Sequence, residues 1–270
     1  MNEIGKMIGQ GNTSQIYNYG ADCILKLYRE GLPEYLCENE FSNTQFAYQL
    51  NINVPEPIEI IHVEGRIGAI YKKLIGRTML KHMLNKPWRI SHYATCLSAY
   101  HGDIQKTFDD KLVTVKEKLT QDIKQVSLLS ESEKQIIYRY MAHLPDGNTL
   151  CHFDFHPDNI MLLGNQYSVI DWMTACKGDK LADVARTGII LKFSQIPRVP
   201  TIVNFFVSLF QRSVHKKYIA NYLEMTNERI DNIRKWELAV AAARLVEWIP
   251  EKEKHNLLSF VKSRIEEIED

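Results

Sequence analysis

Between Cys151 and Trp172 the chain reads CHFDFHPDNIMLLGNQYSVIDW. His152, Asp154, His156, Asp158, Asn159 and Asp171 are crowded there between apolar runs. Asp154 and Asn159 are separated by a short loop that contains Pro157, which fixes the backbone. Asp171 closes the apolar run that follows. An amide oxygen and a carboxylate on adjacent structural edges are hard oxygen ligands suited to magnesium. With Asn159 and Asp171 in that role, Asp154 is left to accept a proton. A polar turn held by Asx hydrogen bonds accounts for one or two such residues. It does not account for Asp154, Asn159 and Asp171 together at this spacing behind a hydrophobic strand.

Three features near the N-terminus carry compatible chemistry. IGQGNTSQIY, residues 8–17, is a glycine-rich turn. Gly9 and Gly11 leave backbone N–H groups bare for an anion, and Thr13 and Ser14 add hydroxyl donors. An ordinary hairpin turn is the plainer reading. Lys26 in CILKLY shares a strand face with Ile24 and Tyr28. It either snorkels to solvent or points beneath the glycine turn. A lysine turned inward needs a carboxylate, because an unpaired buried charge is costly. Glu40 shares a helical face with Thr44 and Ala47 and is preferred by helix phase; Glu38 is the competing candidate.

These residues need elements to position them. EIGKMIG, SQIYNYG and CILKLY read as short strands punctuated by glycine. Pro33 opens a helical segment that runs to Leu50, with Pro55 and Pro57 beyond it. IEIIHV and RIGAIYKKL are two further strands joined at Glu64-Gly65. From Met79 the texture is helical, near 79–85, 90–106, 114–126 and 131–143. TLCHF is then a strand, DFHPDN a loop, and IMLL…YSVID a hairpin turning at Gly164-Asn165. Helices follow near 180–194, 200–222, 227–247 and 251–268. The expected fold is α+β with two lobes. Residues 1–75 form a small five-stranded antiparallel sheet with one helix, and residues 76–270 form a large, mainly helical lobe. A link near Gly76 joins them, and such a join makes a cleft for ligands.

Composition narrows the classes. The chain has 270 residues, 33 basic and 33 acidic, with 45% hydrophobic and 24% charged. A balanced charge gives no reason to expect nucleic acid or membrane as a partner. The five cysteines are scattered without a CxxC pair, which fits a reducing cytoplasm. The N-terminus lacks an apolar signal core. TIVNFFVSLF is too short and too polar to span a bilayer.

HFDFHPDNIM…VIDW resembles the signature of aminoglycoside phosphotransferase-like kinases, a group that includes choline-kinase-like enzymes. It is a variant of H-x-D-x-x-x-x-N followed by an aspartate on the next hairpin, related to the protein-kinase catalytic loop. GDKLADVAR, VPEPIEI and IYKKLIG extend the resemblance over about residues 4–190. It implies a protein-kinase-like fold and transfer of the γ-phosphate of ATP or GTP to a hydroxyl of an aminoglycoside, sugar or amino-alcohol. Asp154 would be the catalytic base. Asn159 and Asp171 would hold magnesium. The Gly9–Ser14 turn would cover the phosphates, and Lys26 would contact them and pair with Glu40. The backbone at Lys72, Lys73 and Leu74 would bind the base. Asp183 and His152 would be framework, with His156 beside the base and no role assigned.

Departures from the protein-kinase pattern point to a small-molecule acceptor. The metal motif reads Asp171-Trp172-Met173, and no Ala-Pro-Glu segment follows. A catalytically inactive nucleotide-binding module is the rival from another class, and the filled polar positions argue against it. Tyr71 precedes the base-binding stretch. It either narrows the rear of the nucleotide site, letting GTP compete with ATP, or packs into the small lobe. Glu266, Glu267, Glu269 and Asp270 offer carboxylates for an amine-bearing acceptor, or else form a solvated helix end.

Overall fold

The computed structural model describes residues 3–164, 166–195 and 201–269, with the side chains of 201–206 outside that description. The chain runs β1 (Ile4–Gln10), β2 (Ser14–Tyr19), β3 (Cys23–Tyr28), α1 (Tyr35–Gln49), β4 (Pro57–Val63), β5 (Arg66–Lys72), β6 (Arg77–Thr78) and α2 (Met79–Asn85). It continues with α3 (Ile90–Ile104), α4 (Val115–Gln125), α5 (Glu131–Ala142), β7 (Thr149–Cys151), β8 (Ile160–Leu163) and β9 (Gln166–Val169). The last elements are β10 (Cys176–Gly178), α6 (Lys180–Phe193), α7 (Thr201–Thr226), α8 (Ile230–Arg244) and α9 (Glu251–Glu269). The expected hairpin turn at Gly164-Asn165 falls partly outside the described residues, because Asn165 is not among them.

Two compact units divide the chain, residues 1–84 with 157–175, and residues 85–156 with 176–270. The expected division at 75/76 does not coincide with this partition. Close backbone packing explains the difference. Past Gly76 the chain forms β6, which pairs with β8 through Arg77↔Leu162 and Thr78↔Met161. A Cβ on Gly76 would stand 2.2 Å from the Leu162 carbonyl oxygen, so only glycine admits that approach. Residues 157–175 therefore belong with the strands far upstream of them.

The first unit is built on an antiparallel sheet of order β1-β2-β3-β5-β4. Period-two alternation along β3 sorts its residues to the two faces. Leu25 and Leu27 pack with Ile70 on one face. Tyr28 packs on the other with Cys37, Ile67, Ala69 and Tyr71, and Ile24 joins them. Helix α1 covers this second face, burying Cys37, Glu40, Thr44 and Ala47 at helical spacing. Lys26 lies on the same face as Ile24 and Tyr28, opposite the fully buried Ala69 on β5. A methyl group there leaves room for the lysine stem.

The second unit is mainly helical. Capping boxes at Thr114–Glu117 and Ser130–Glu133 start α4 and α5. The short strands β7 and β10 pair antiparallel, with Cys151 opposite Cys176. Helix α6 is buried along nearly its whole length, from Leu181 to Leu191. Its cap, Asp179, accepts from the Leu181 amide at 3.0 Å and from the Trp236 indole at 2.8 Å. Such a helix can act as a fixed template for a neighbouring loop. No helix among the described residues is long and apolar enough to cross a membrane.

Candidate active site

In the first unit the strand and helix phases bring Lys26, Glu40 and Asp171 together. Lys26 Nζ donates to Glu40 Oε1 at 2.5 Å and Oε2 at 2.7 Å, and to Asp171 Oδ1 at 3.3 Å. Glu40 makes this pair; Glu38 is exposed on the opposite side of α1. Burial by itself would lower the Lys26 pKa, but the Asp171 and Glu40 carboxylates outweigh it and hold the ammonium above its ordinary value. Tyr28, two residues along the same strand face, donates its hydroxyl to Glu40 Oε2. Strand alternation places Tyr28 on the Lys26 face but assigns it no part in the site. The i, i+2 spacing from Lys26 was the available signal.

Asp171 does not end a strand as expected. β9 stops at Val169, and Asp171 adopts a left-handed conformation at φ 67°. For an aspartate this is an uncommon backbone state of the kind that clusters at functional sites. The segment after it is held from α1, where Asn43 Nδ2 donates to the Trp172 carbonyl at 3.0 Å. Trp172 in turn donates its indole N–H to the Val169 carbonyl at 3.0 Å. Asn159 ends a 3-10 turn and stands just before β8. Its carbonyl accepts from the Ile170 amide at 3.0 Å. That bond brings the backbone of Asn159 next to the segment that leads into Asp171 at the open end of the β8–β9 hairpin. An amide oxygen and a carboxylate, with Asp171 left 42% exposed, are the donor types that a hard divalent cation takes.

The glycine turn is closed by the Gly11 amide donating to the Ser14 carbonyl at 2.8 Å. Arg29 braces its outer side, donating to the carbonyls of Gly11 at 3.0 Å and Asn12 at 3.1 Å. A Cβ at Gly11 would meet nothing within 4 Å, so protein packing does not require glycine there. Ser14 is buried, and Thr13 is half-buried. At the end of β5, the Lys72 amide is taken by the Glu56 carbonyl and the Lys73 amide by the Asp22 carbonyl, each at 2.9 Å. Lys72 pairs with Asp22 through its side chain, and Lys73 Nζ donates to Asn18 Oδ1 at 2.7 Å. Leu74 is the next amide along. Tyr71 is 3% exposed in the core under α1, its ring 6.0 Å from that of Phe41.

In the second unit the loop that carries Asp154 is templated by one face of α6. Asp183 Oδ2 accepts from the His152 amide at 2.7 Å, and Oδ1 from the Phe153 amide at 2.9 Å. Arg186 Nε donates to the Phe153 carbonyl at 3.1 Å, and Thr187 Oγ1 to the Phe155 carbonyl at 2.8 Å. Asp183, Arg186 and Thr187 stand at i, i+3 and i+4, so they face one way. These contacts hold Phe153 in a left-handed conformation at φ 63°. His101 stacks on Phe155 at 4.2 Å, with Nε2 3.0 Å from Asp183 Oδ2 and Nδ1 2.6 Å from the Tyr218 hydroxyl. The sequence reading included Asp183 and His152 but missed His101, Arg186 and Thr187. Polar residues at i, i+3 and i+4 inside the otherwise apolar LADVARTGIIL were the signal for the last two.

Asp154 stands on this loop with its amide 3.2 Å from His152 Nδ1. Its carboxylate Oδ2 is 3.5 Å from His156 Nε2. Burial would raise its pKa, but His156, Arg186 and His152 outweigh burial and hold the carboxyl well below the usual carboxylate range. It is therefore ionised at neutral pH. At the C-terminus Glu266, Glu267 and Glu269 are exposed on the last turn of α9, with Glu267 paired to Arg264. Asp270 lies outside the described residues.

A model of the phosphotransferase enzyme family (APH) matches residues 6–203. No curated protein matches the chain significantly. Among solved structures, a thermostable mutant of aminoglycoside phosphotransferase APH(4)-Ia is 14% identical with a TM-score of 0.65, over 99% of this chain and 94% of that one. Aminoglycoside phosphotransferase APH(2'')-Ib in its ADP-bound form is 17% identical with a TM-score of 0.57, over 97% and 93%. A choline/ethanolamine kinase family protein from Mesorhizobium loti is 14% identical with a TM-score of 0.56, over 99% and 87%. At these identities the likeness establishes the protein-kinase-like fold. The family match covers well over half of the sequence, and the chain belongs to the phosphotransferase enzyme family.

Proposed function

We propose that this protein is a magnesium-dependent small-molecule kinase that moves the γ-phosphoryl group of ATP onto a hydroxyl. The acceptor class is an aminoglycoside, sugar or amino-alcohol. The observation that carries the reading is Lys26 bridging Glu40 and Asp171 within one unit, at 2.5 and 3.3 Å. A cation so placed is held in position before any phosphate arrives, and phosphoryl transfer relies mainly on positioning and charge neutralisation.

On this reading Lys26 meets the nucleotide phosphates, with Glu40 aiming it. Gly9 and Gly11, having no side chains, let the turn come close to the phosphates with Thr13 beside them, although the Gly11 amide itself is not bare as expected because it closes the turn onto the Ser14 carbonyl. Leu74 offers its amide to the base, because the amides of Lys72 and Lys73 already have carbonyl partners. Asn159 and Asp171 hold magnesium, which when bound neutralises charge on the phosphate oxygens. Asp154 orients the acceptor hydroxyl and takes its proton as the new bond to phosphorus forms. Its depressed pKa keeps it in the basic form and makes the proton acceptance late.

The decisive experiment compares wild type with Asp154→Asn. Magnesium with ATP is expected to raise the melting temperature of both, since a ligand that binds the folded state stabilises it by mass action. Screening hydroxyl acceptors should find transfer by wild type and a loss of roughly 10²–10⁴ in rate for the variant. Full activity of Asp154→Asn would remove the base assignment. The absence of a magnesium-ATP shift and of any turnover in wild type would remove the kinase reading.

A further inference from the structure

We propose that His156 is a positioning residue for Asp154, setting the rotation of its carboxylate by donating from Nε2 to Oδ2. The inference rests on the reading of Asp154 as the base. His156 Nε2 is 3.5 Å from Oδ2, with the two side chains 26% and 30% exposed. That distance is the outer limit of a hydrogen bond, and catalytic contacts commonly tighten once substrates bind.

The geometry around Asp154 shows why a side-chain anchor matters. The loop backbone is held on both sides of it. The amides of His152 and Phe153 donate to Asp183, and the carbonyls of Phe153 and Phe155 accept from Arg186 and Thr187. Those bonds fix the backbone around Asp154 and do not by themselves orient its carboxylate. The torsion that turns a carboxylate is broad and nearly two-fold, so backbone order alone does not select an orientation. His152, Arg186 and His156 are among the groups that bear on it. His152 is fully buried and its Nδ1 faces the Asp154 amide, so it anchors the backbone. Arg186 attracts the carboxylate, while its Nε and Nη2 are directed to Phe153 and Glu247. His156 brings Nε2 to 3.5 Å from Oδ2. Pro157, buried immediately after it, limits the backbone conformations open to His156.

In the transfer, the acceptor oxygen forms its bond to the γ-phosphorus as the bridging P–O bond breaks. The electron pair of that bond leaves with the nucleoside diphosphate, and the hydroxyl proton passes to the Asp154 carboxylate. His156 takes no proton in this scheme. It holds the accepting carboxylate in line, and misplacement of a reacting group by about 1 Å can cost roughly 10²-fold.

The test uses magnesium-ATP hydrolysis, with water as the acceptor. His156→Ala is expected to lower kcat by roughly 10- to 100-fold, with KM for ATP and the magnesium-ATP melting shift unchanged. His156→Gln, whose amide N–H can reach the same place, should recover most of the loss. In an Asp154→Asn background, His156→Ala should add nothing, because a residue acting only through Asp154 has no further effect once the base is gone. Wild-type kcat in His156→Ala, a His156→Gln as slow as the alanine variant, or an additive loss in the double variant would each overturn the proposal. Wild type that shows neither a magnesium-ATP melting shift nor turnover with water or any hydroxyl acceptor would instead overturn the kinase reading, and this inference with it.

Discussion

The two units hold their functional groups by different means. In the first, Lys26, Glu40, Tyr28 and Asp171 are held by one another, side chain to side chain. In the second, the loop around Asp154 is held through its backbone by Asp183, Arg186 and Thr187 of α6. A side-chain cluster can exchange partners, so a phosphate can compete with Asp171 for Lys26. A backbone clamp cannot exchange without unfolding the loop. Under the proposed function, the contrast suits an exchangeable anionic ligand at the first cluster and a base on the second loop, since a base gains from a fixed origin.

The sharpest way to break this contrast is Asp183→Ala. It strands the buried amides of His152 and Phe153 and removes the partner of His101. The expected cost is about 3–5 kcal/mol, a fall in melting temperature of roughly 10 °C. The same carboxylate gives a pH signature. Burial would raise its pKa, but His101, His152 and the Phe153 amide lower it below the ordinary 3.8. An acid depressed by folding stabilises above its unfolded pKa and loses that contribution as pH falls through the folded value. Wild type should therefore lose stability below about pH 3.8 more steeply than Asp183→Asn, as read by acid titration of the melting temperature. A cost no larger than that of a surface substitution would end the backbone-clamp account.

Lys26→Ala tests the other side. It leaves Glu40 buried against Tyr28 without its cation, at an expected cost of about 3 kcal/mol. It should also abolish most of the magnesium-ATP melting shift. Asp171→Ala should weaken that shift with a smaller loss of intrinsic stability, because Asp171 is the more exposed partner. An unchanged shift in both variants would detach the cluster from nucleotide binding.

Tyr28→Phe is the mildest probe and sharpens the comparison. The hydroxyl donates to Glu40, and its loss should cost about 1 kcal/mol while leaving the Lys26–Glu40 pair in place. A small rise in KM for ATP with kcat retained would show that Tyr28 steadies the pair. A loss of kcat equal to that of Lys26→Ala would mean that the cluster is as rigid as the α6 clamp.

Much of this was legible in the sequence because the relevant signals are local. The alternation in CILKLY placed Lys26 on the Tyr28 face, and helix phase favoured Glu40 over Glu38. Other features come from contacts between distant segments, which local periodicity does not encode. Gly76 read as a link between lobes, yet it packs against Leu162, and this assigns 157–175 to the first unit. The strands β6 and β10, two and three residues long, are too short to leave a pattern.

By itself the sequence determined the order of the longer elements, the alternating sheet faces, the helix phases and the set of polar residues from Asp154 to Asp171. These follow from backbone geometry that repeats every two or 3.6 residues. Only the tertiary structure decided that Asp171 leaves its strand in a left-handed turn and that Lys26 bridges it to Glu40. The tertiary structure likewise decided that α6 grips the Asp154 loop through three polar side chains and that the amides of Lys72 and Lys73 are already bonded. Each depends on a partner 14 or more residues away, or on a hydrogen-bond requirement met only once the chain is packed.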